Sequence, residues 1–235
     1  MTDVVYIVRP NDDNEELRYS LRSLSKNLKH DRVFFSGHKP AWVQNVIHIP
    51  TVQVPGEKHP NSLRNQMAAY THPDVSDTFY LFNDDHFIMK RFEEMPILNW
   101  GPLDWALSTC NTLGPSFAFS MATTRDLLID LGLPTINYQL HIPCVIPKQQ
   151  LVDVFTNFQT PAPNGAWLHQ VTIAGNMYGW GGESRDKDVK VHELYVLPQG
   201  IERQEFISTS DKSFQYGLIG QYVRAQFPEK CEYER

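Results

Sequence analysis

The sequence of 235 residues lacks several features that mark common classes of protein. It contains no run of about 18 apolar residues, so we expect no membrane-spanning helix. Its N-terminus has no basic segment followed by a long apolar core, so no signal peptide is predicted. Positive charge is not in excess, because the formal net charge is −6, and nucleic acid is therefore not an expected partner. These absences favour a cytoplasmic protein without an integral membrane segment.

Cysteine is also scarce. The three cysteines, Cys110, Cys144 and Cys231, are far apart and odd in number, so they predict neither a disulfide framework nor a zinc site. This usage favours a reducing compartment. None of the nine histidines falls in an HExxH pattern, which argues against a zinc protease.

The first half of the chain alternates between strand and helix patterns. Asp3–Val8 is apolar and β-branched and predicts a strand. A helix is expected to begin at Asp13, with Glu16 placed to close a capping box. One apolar stripe along this helix is expected to comprise Leu17, Leu21, Leu24 and Leu28.

Further elements follow in the same alternating order. Short strands are predicted at Val33–Phe35 and Val46–Ile49, a helix capped by Ser62 extends to about Tyr70, and another strand occupies Phe79–Phe82. Strands alternating with helices indicate an α/β fold with a mixed, mostly parallel central sheet flanked by helices. No shift in composition marks a boundary, so one domain over residues 1–235 is expected.

The second half has weaker patterns. A strand is predicted at Phe117–Met121, a short helix from Thr124 and an extended segment at Tyr138–Ile146. Helices are predicted at Trp167–Tyr178 and at Asp211–Phe227, the second with Phe214, Leu218, Tyr222 and Val223 facing inward.

The most informative segment is the apolar strand that ends at Asn83-Asp84-Asp85. Acids at the end of a buried strand lie at the carboxyl edge of the sheet, where open α/β folds bind ligands. Two carboxylates there suit Mg²⁺ or Mn²⁺, and these ions commonly bind substrate phosphates. The alternative is a simple turn, because Asn and Asp favour turns.

Several segments together resemble a known family. They read DNEELRYSLRSLSKN, AWV, FYLFNDDHFIM, LHIPCVIPKQQL and FPEKCEYE, in that order and across nearly the whole chain. The sequence is similar to the Stealth family of sugar-phosphate transferases, which resemble GT-A glycosyltransferases in fold. The resemblance implies a GT-A-like transferase with a nucleotide-sugar donor, a UDP-sugar being the expected one, and with Mn²⁺ or Mg²⁺ as cofactor.

The resemblance also implies roles for particular residues. Asn83, Asp84 and Asp85 match an acidic motif similar to the metal-binding motif of GT-A enzymes, with Asp84 and Asp85 as metal ligands and Asp84 also available to the sugar. His141 matches a histidine that is a catalytic candidate in the family. Asp211 falls where the family has an acidic residue near the donor.

A polar group on the predicted second helix, Ser62, Arg64 and Asn65, lies where the family has a polar patch before the acidic strand. Together with Arg9 and Asn83 these residues are expected to bind the donor, since arginine binds phosphate in a bidentate manner. Solvated surface arginines are the alternative. The segment Arg9–Asp13 departs from the family pattern, so transfer of a sugar and transfer of a sugar-1-phosphate both stay open.

The chemistry of two candidates is also open. His141 could act as general base on the acceptor hydroxyl, stabilise the transferring phosphoryl group, or be a structural histidine. Asp211 could bind metal, act as a base or cap a helix.

The sequence therefore predicts a metal-dependent transferase that moves a sugar or sugar-1-phosphate onto a hydroxyl of a glycan or glycoprotein acceptor. Two alternatives are a non-catalytic carbohydrate-binding protein on a transferase fold and a metal-dependent phosphohydrolase that uses the same acids.

Overall fold

A computed structural model of the protein describes residues 2–109 and 114–235. In chain order these residues form β1 (Asp3–Val8), α1 (Glu15–Asn27), β2 (Val33–Gly37), β3 (Ile47–Pro50), α2 (Lys58–Tyr70), β4 (Thr78–Asn83), β5 (His86–Ile88), β6 (Leu98–Asn99), α3 (Leu103–Thr109), α4 (Pro115–Asp130), β7 (Cys144–Pro147), α5 (Lys148–Asn157), α6 (Gln170–Met177), β8 (Glu183–Ser184), β9 (Lys190–Val191), β10 (Phe206–Thr209), α7 (Asp211–Tyr216) and α8 (Leu218–Gln226).

The chain divides into two compact units. The first unit comprises Met1–Met95, His141–Ile146 and Val189–Arg235. The second unit comprises Pro96–Leu140 and Pro147–Asp188. The expectation of one functional domain over residues 1–235 stays a prediction.

A five-stranded sheet in the order β3-β2-β1-β4-β7 lies at the centre of the first unit. The pairs β1–β2, β1–β4 and β2–β3 are parallel, which confirms the predicted α/β fold with a mostly parallel sheet. Val8 pairs with Gly37 and Ile7 pairs with Asn83. The carboxyl ends of these strands therefore meet at one edge of the sheet.

Burial explains why the first strand and helix were predictable. Every residue of β1 is buried, as expected for a central parallel strand. The predicted leucine stripe is confirmed, because Leu17, Leu21 and Leu24 are fully buried and Leu28 nearly so.

The predicted start of this helix was wrong. The N-cap is Asn14, whose side chain accepts a hydrogen bond from the Leu17 backbone N–H at 3.2 Å. Glu16 closes no capping box with Asp13, because its carboxylate contacts Thr209 and Arg9 instead. Likewise Ser62 does not cap α2, which begins one turn earlier at Lys58 after Glu57 as N-cap.

A second, three-stranded sheet in the order β5-β10-β9 also belongs to the first unit. It packs with α7 and α8 around an apolar cluster in which the rings of Phe87 and Phe214 stack at 5.6 Å between centroids. This packing places β9 and β10 beside the turn that follows β4, since Ser208 pairs with both His86 and Lys190.

The single helix predicted at Asp211–Phe227 is two helices that meet at Gly217. Gly217 has an extended backbone that ends α7 and begins α8. Because the helical register restarts there, Leu218 is 39% exposed, whereas Phe214 and Val223 are buried as predicted.

The second unit contains α3, α4, α5 and α6 with the short strand pair β6–β8. The strand predicted at Phe117–Met121 was wrong, because these residues lie inside α4 with Pro115 in its first turn. A short apolar run does not distinguish strand from helix, and here the buried residues Met121, Thr124 and Leu128 follow helical spacing. The helix predicted at Trp167–Tyr178 is confirmed as the shorter α6.

Two further sequence expectations concern the membrane and the cysteines. None of the helices in residues 2–109 and 114–235 is long and apolar enough to cross a membrane. The thiols of Cys144 and Cys231 are free, and Cys110 lies outside the described residues.

Candidate functional site

A cleft of about 820 Å³ lies at the carboxyl edge of the five-stranded sheet, within the first unit; we call it the candidate cleft. Arg64 does not line it. The other eight sequence-predicted residues do, namely Arg9, Ser62, Asn65, Asn83, Asp84, Asp85, His141 and Asp211.

The two acids form the turn between β4 and β5. Their side chains are only 10% and 12% exposed, and both contribute to the wall of the candidate cleft. Asp84 and Asp85 are therefore turn residues, as the alternative interpretation held, and they also occupy the position at the sheet edge that ligand binding requires.

Asp84 is held from the α1 side of the cleft. Its Oδ2 accepts hydrogen bonds from Asn14 Nδ2 at 2.9 Å and from Arg9 Nε at 3.2 Å. Burial raises the pKa of Asp84, the positive charge of Arg9 opposes that rise, and the neighbouring Asp85 adds to it. The net shift is upward, so Asp84 is the more easily protonated member of the pair.

Asp85 has the opposite electrostatic environment. Its Oδ2 accepts from Lys190 Nζ at 2.6 Å and from Ser208 Oγ at 3.0 Å. Burial works against ionisation here too, but electrostatic interactions with His86, Lys190 and His141 and the Lys190 hydrogen bond outweigh it and hold the pKa of Asp85 well below its usual range. Asp85 is therefore a carboxylate at neutral pH.

Arg9 connects three acids at the mouth of the cleft. Its NH2 donates to Asp211 Oδ1 at 2.6 Å and to Glu16 Oε2 at 3.2 Å. Its NH1 donates to Asp211 Oδ2 at 3.1 Å, and its Nε donates to Asp84. Each guanidinium nitrogen thus already binds a carboxylate. The role of Arg9 in this structure is to hold these acidic side chains in position.

Glu16 is a site residue that the sequence did not reveal. It is buried, and its Oε1 accepts from Thr209 Oγ1 at 2.6 Å. Burial raises the pKa of Glu16 to about 8; the Thr209 hydrogen bond opposes this rise, and the charges of Asp84, Asp85 and Asp211 reinforce it. The only sequence signal was an acid placed directly before the buried leucine stripe.

One face of α2 lines the cleft. Lys58, Asn61, Ser62 and Asn65 follow the i, i+3, i+4, i+7 spacing of a single helix face. The buried Asn65 accepts hydrogen bonds from Thr51 at 2.5 Å and from Gln53 at 2.7 Å, which orients its amide. Arg64 does not line the cleft; it donates to Glu57 at 3.0 Å, to the Val52 carbonyl at 3.2 Å and to the cleft residue Asn61.

His141 precedes β7 and lines the cleft together with His192. An electrostatic interaction with His141 contributes to the lowered pKa of Asp85. Asp211 is not the N-cap of α7, because Ser210 caps that helix. The carboxylate of Asp211 is bound to Arg9 and its pKa is lowered by that hydrogen bond.

The donor set fits a divalent cation in chemical type. Asp84 and Asp85 offer oxygen ligands on one cleft wall, which Mg²⁺ and Mn²⁺ prefer. Among the described residues, no group of three or more His, Cys, Asp or Glu side chains is arranged around a common metal position. Such an ion would therefore take one or two carboxylates here and complete its shell with water and substrate phosphate, as Mg²⁺ commonly does.

Sequence reasoning also missed Lys58, Lys190, Ser208 and Lys212. Lys190 is 105 residues from Asp85 and Ser208 is 123 residues from it, so no local pattern could pair them. For the lysines, the available signal was position alone: Lys212 follows Asp211 directly, and Lys58 lies four residues before Ser62.

No protein-family model matches this sequence, and no curated protein matches it. Among solved structures, the chain is similar to the apo form of the glycosyltransferase GlyE from Streptococcus pneumoniae TIGR4, with a TM-score of 0.35 and 10% identity. The similarity covers 78% of this chain and 44% of the GlyE chain, so this chain spans less than half the length of that protein. A similarity at this level carries no argument about activity, and the resemblance to the Stealth family stays a prediction.

Proposed function

We propose that this protein is a transferase that binds a nucleotide-sugar donor in the candidate cleft and moves a sugar or a sugar-1-phosphate onto a hydroxyl of a glycan or glycoprotein acceptor. One observation supports the proposal most: a single cleft at the carboxyl edge of a parallel sheet contains Asp84, Asp85 and His141. Ligands of open α/β sheets bind at this edge.

Two lysines supply positive charge for an anionic donor. Arg9 and Lys190 are already paired with carboxylates. Lys58 and Lys212 also line the cleft, and neither forms an ion pair with any residue in the described part of the chain. We assign the binding of the donor diphosphate to these two lysines, with Ser62 and Asn83 as neutral partners on the same cleft wall.

Asp84 and Asp85 would hold Mn²⁺ or Mg²⁺, and the ion when bound would act as a Lewis acid that neutralises charge on the donor diphosphate. Asn14 and Arg9 orient Asp84 for this role, and Ser208 orients Asp85. Asp211 is held at the mouth of the cleft by Arg9, so in this proposal it borders the donor site without binding the ion directly.

His141 is proposed as the general base that accepts the proton of the acceptor hydroxyl. In sugar transfer, the acceptor oxygen forms a bond to the anomeric carbon, the bond from that carbon to the diphosphate breaks, and UDP leaves. In sugar-1-phosphate transfer, the acceptor oxygen bonds to the sugar-bearing phosphorus, the diphosphate bridge breaks, and UMP leaves. In both reactions the proton moves to His141.

The decisive experiment identifies the nucleotide released from UDP-sugars in the presence of Mn²⁺ and a panel of glycan acceptors. UDP or UMP formed only with acceptor supports the proposal and distinguishes the two reactions. Inorganic phosphate released without acceptor would identify a phosphohydrolase instead. Binding of glycans without turnover of any donor would identify a carbohydrate-binding protein.

A His141→Ala variant tests the proposed base. We expect kcat to fall by about 100-fold or more, which is the usual contribution of a general base, while donor affinity is retained. His192→Ala is the matched control, because it removes another imidazole from the same cleft. Equal rates for the wild type and His141→Ala would contradict the role.

A further inference from the structure

The position of Lys190 is determined by the three-stranded sheet. Lys190 begins β9, and Ser208 of β10 pairs with Lys190 on one side and with His86 on the other. His86 directly follows Asp85 in the chain. The sheet therefore holds the Lys190 side chain opposite the Asp85 carboxylate, where both line the candidate cleft.

The contact between these two residues is short and shielded from water. Lys190 Nζ lies 2.6 Å from Asp85 Oδ2, and the two side chains are only 19% and 12% exposed. Ser208 Oγ donates to the same oxygen at 3.0 Å. A charge-assisted hydrogen bond of this kind is roughly twice as strong as a neutral one.

A divalent cation at Asp85 Oδ2 would compete with this ammonium group for the same oxygen. Mg²⁺ binds carboxylate oxygen at about 2.0–2.1 Å. An ion at that distance from Asp85 Oδ2 would lie close to an ammonium that is itself 2.6 Å from the oxygen. Two positive charges so close together repel each other strongly where water is largely excluded.

We propose that Lys190 is a resident counter-ion of Asp85 that competes with the divalent cation, so that metal binds at Oδ2 of this carboxylate only when the ammonium withdraws. This inference rests on the proposed function, which places the cation at Asp84 and Asp85. In the absence of substrate, Lys190 therefore weakens the binding of the metal ion.

This competition couples the binding of the metal ion to the binding of the donor. When Lys190 leaves Asp85, its ammonium stays in the cleft, where an anionic donor offers another partner. A nucleoside diphosphate therefore favours the metal-competent arrangement, and by linkage the metal favours binding of the nucleotide. Metal alone binds weakly, and metal together with diphosphate binds more tightly.

The test measures Mn²⁺ affinity by electron paramagnetic resonance and calorimetry, with Mn²⁺ alone as the probe. The variants are Lys190→Met and Lys212→Met. Each removes one positive charge from the same cleft, but only the first removes a partner of Asp85. We expect Lys190→Met to bind Mn²⁺ about tenfold more tightly than Lys212→Met, since it frees a charge-assisted contact.

A Lys190→Arg variant tests whether loss of the charge, and not a change in folding, accounts for the change in Mn²⁺ affinity. It keeps the positive charge opposite Asp85 and is expected to bind Mn²⁺ as weakly as the wild type. Equal affinities of Lys190→Met and Lys212→Met would overturn the competition but leave the metal role intact. Weaker binding by Lys190→Met than by the wild type would also overturn it. Absence of Mn²⁺ binding in every variant would overturn both the inference and the metal part of the proposed function.

Discussion

The buried acid Glu16 shows how a single residue links the candidate site to stability. It is enclosed between Thr209 and Arg9, with three other carboxylates nearby. Burial, reinforced by the charges of those carboxylates, makes ionisation of Glu16 unfavourable in the folded protein. The free energy of unfolding is therefore expected to depend on pH through the titration of Glu16.

The pKa of Glu16 is about 8 in the folded protein, against an ordinary value of 4.5. Between these pH values the folded state keeps a proton that the unfolded state releases, so the free energy of unfolding falls as pH rises through this window. The difference of about 3.5 pH units corresponds to a loss on the order of 5 kcal/mol across it, at about 1.36 kcal/mol per unit. Glu16→Gln should flatten this slope in melting curves recorded from pH 5 to pH 9.

Asp126→Gln is a suitable control for that series, because Asp126 is an exposed acid of α4 in the second unit. Its replacement should leave the slope as it is in the wild type. A slope that is the same in the wild type and in Glu16→Gln would show that Glu16 titrates normally.

Helix α2 shows how one element divides into a binding face and a supporting face. One face of the helix lines the candidate cleft, with Lys58, Asn61, Ser62 and Asn65. Arg64 lies outside that lining and donates to Val52 and Glu57 of the preceding segment and to Asn61. Lys58 and Arg64 therefore carry the same charge on one helix, but only Lys58 lines the cleft. Comparing their variants distinguishes a specific contact with the donor from a general effect of positive charge.

We expect Lys58→Met to weaken UDP binding by about tenfold, the loss that corresponds to 1.4 kcal/mol. Arg64→Met should lower UDP affinity less, because Arg64 is outside the cleft lining and contacts it through Asn61. Titration calorimetry in the presence of Mn²⁺ measures both. The assignment of Lys58 would be abandoned if Arg64→Met had the larger effect.

The C-terminal segment is joined to α1 by a second arginine cluster. Glu234 has a fully buried side chain and accepts from Arg22 at 2.6 and 2.9 Å and from Arg18 at 2.9 Å. The backbone reinforces this contact, since Arg235 N–H donates to the Trp42 carbonyl at 2.9 Å. This segment thus has a structural role in this chain.

Replacing Glu234 by Gln should lower the free energy of unfolding by about 3 kcal/mol, because the buried Arg22 and the partly buried Arg18 both lose their carboxylate partner. Glu229→Gln is the matched control, since Glu229 is exposed in the same segment. Chemical denaturation of the two variants measures the difference. A loss of stability equal in both would show that the buried pair contributes nothing specific.

For the whole molecule, the negative net charge of −6 contrasts with the lysines in the candidate cleft. An anion that binds there is attracted by the cleft lysines although the protein as a whole is negatively charged. A ligand that binds only the folded state raises the free energy of unfolding by RT ln(1 + L/Kd), where L is the free ligand concentration.

UDP together with Mn²⁺ should therefore raise the melting temperature, by an amount that corresponds to about 2.7 kcal/mol at a ligand concentration of 100 times Kd. Chelation of the metal with EDTA should remove most of this stabilisation, and high salt should reduce it because exposed lysines are screened. Differential scanning fluorimetry measures all three conditions. Stabilisation by UDP that is unchanged by EDTA would argue against a metal role.

Local pattern was sufficient for the parts of this protein in which burial follows a simple period. The apolar run of β1, the leucine stripe of α1 and the strand before Asp84 each reflect which side of an element faces the core, and the structure confirms them. Where the pattern was ambiguous, as at Phe117–Met121, the element type depended on packing and the prediction failed.

The chemistry of the cleft depended on contacts that no local pattern encodes. Arg9 meets Asp211 across 202 residues, Glu16 meets Thr209 across 193, and Lys190 meets Asp85 across 105. The residue types and the strand end that presents the two aspartates were readable along the chain. Which cation neutralises which acid was decided only when the two sheets of the first unit packed together, because a charge pair needs proximity in space and sequence separation says nothing about it.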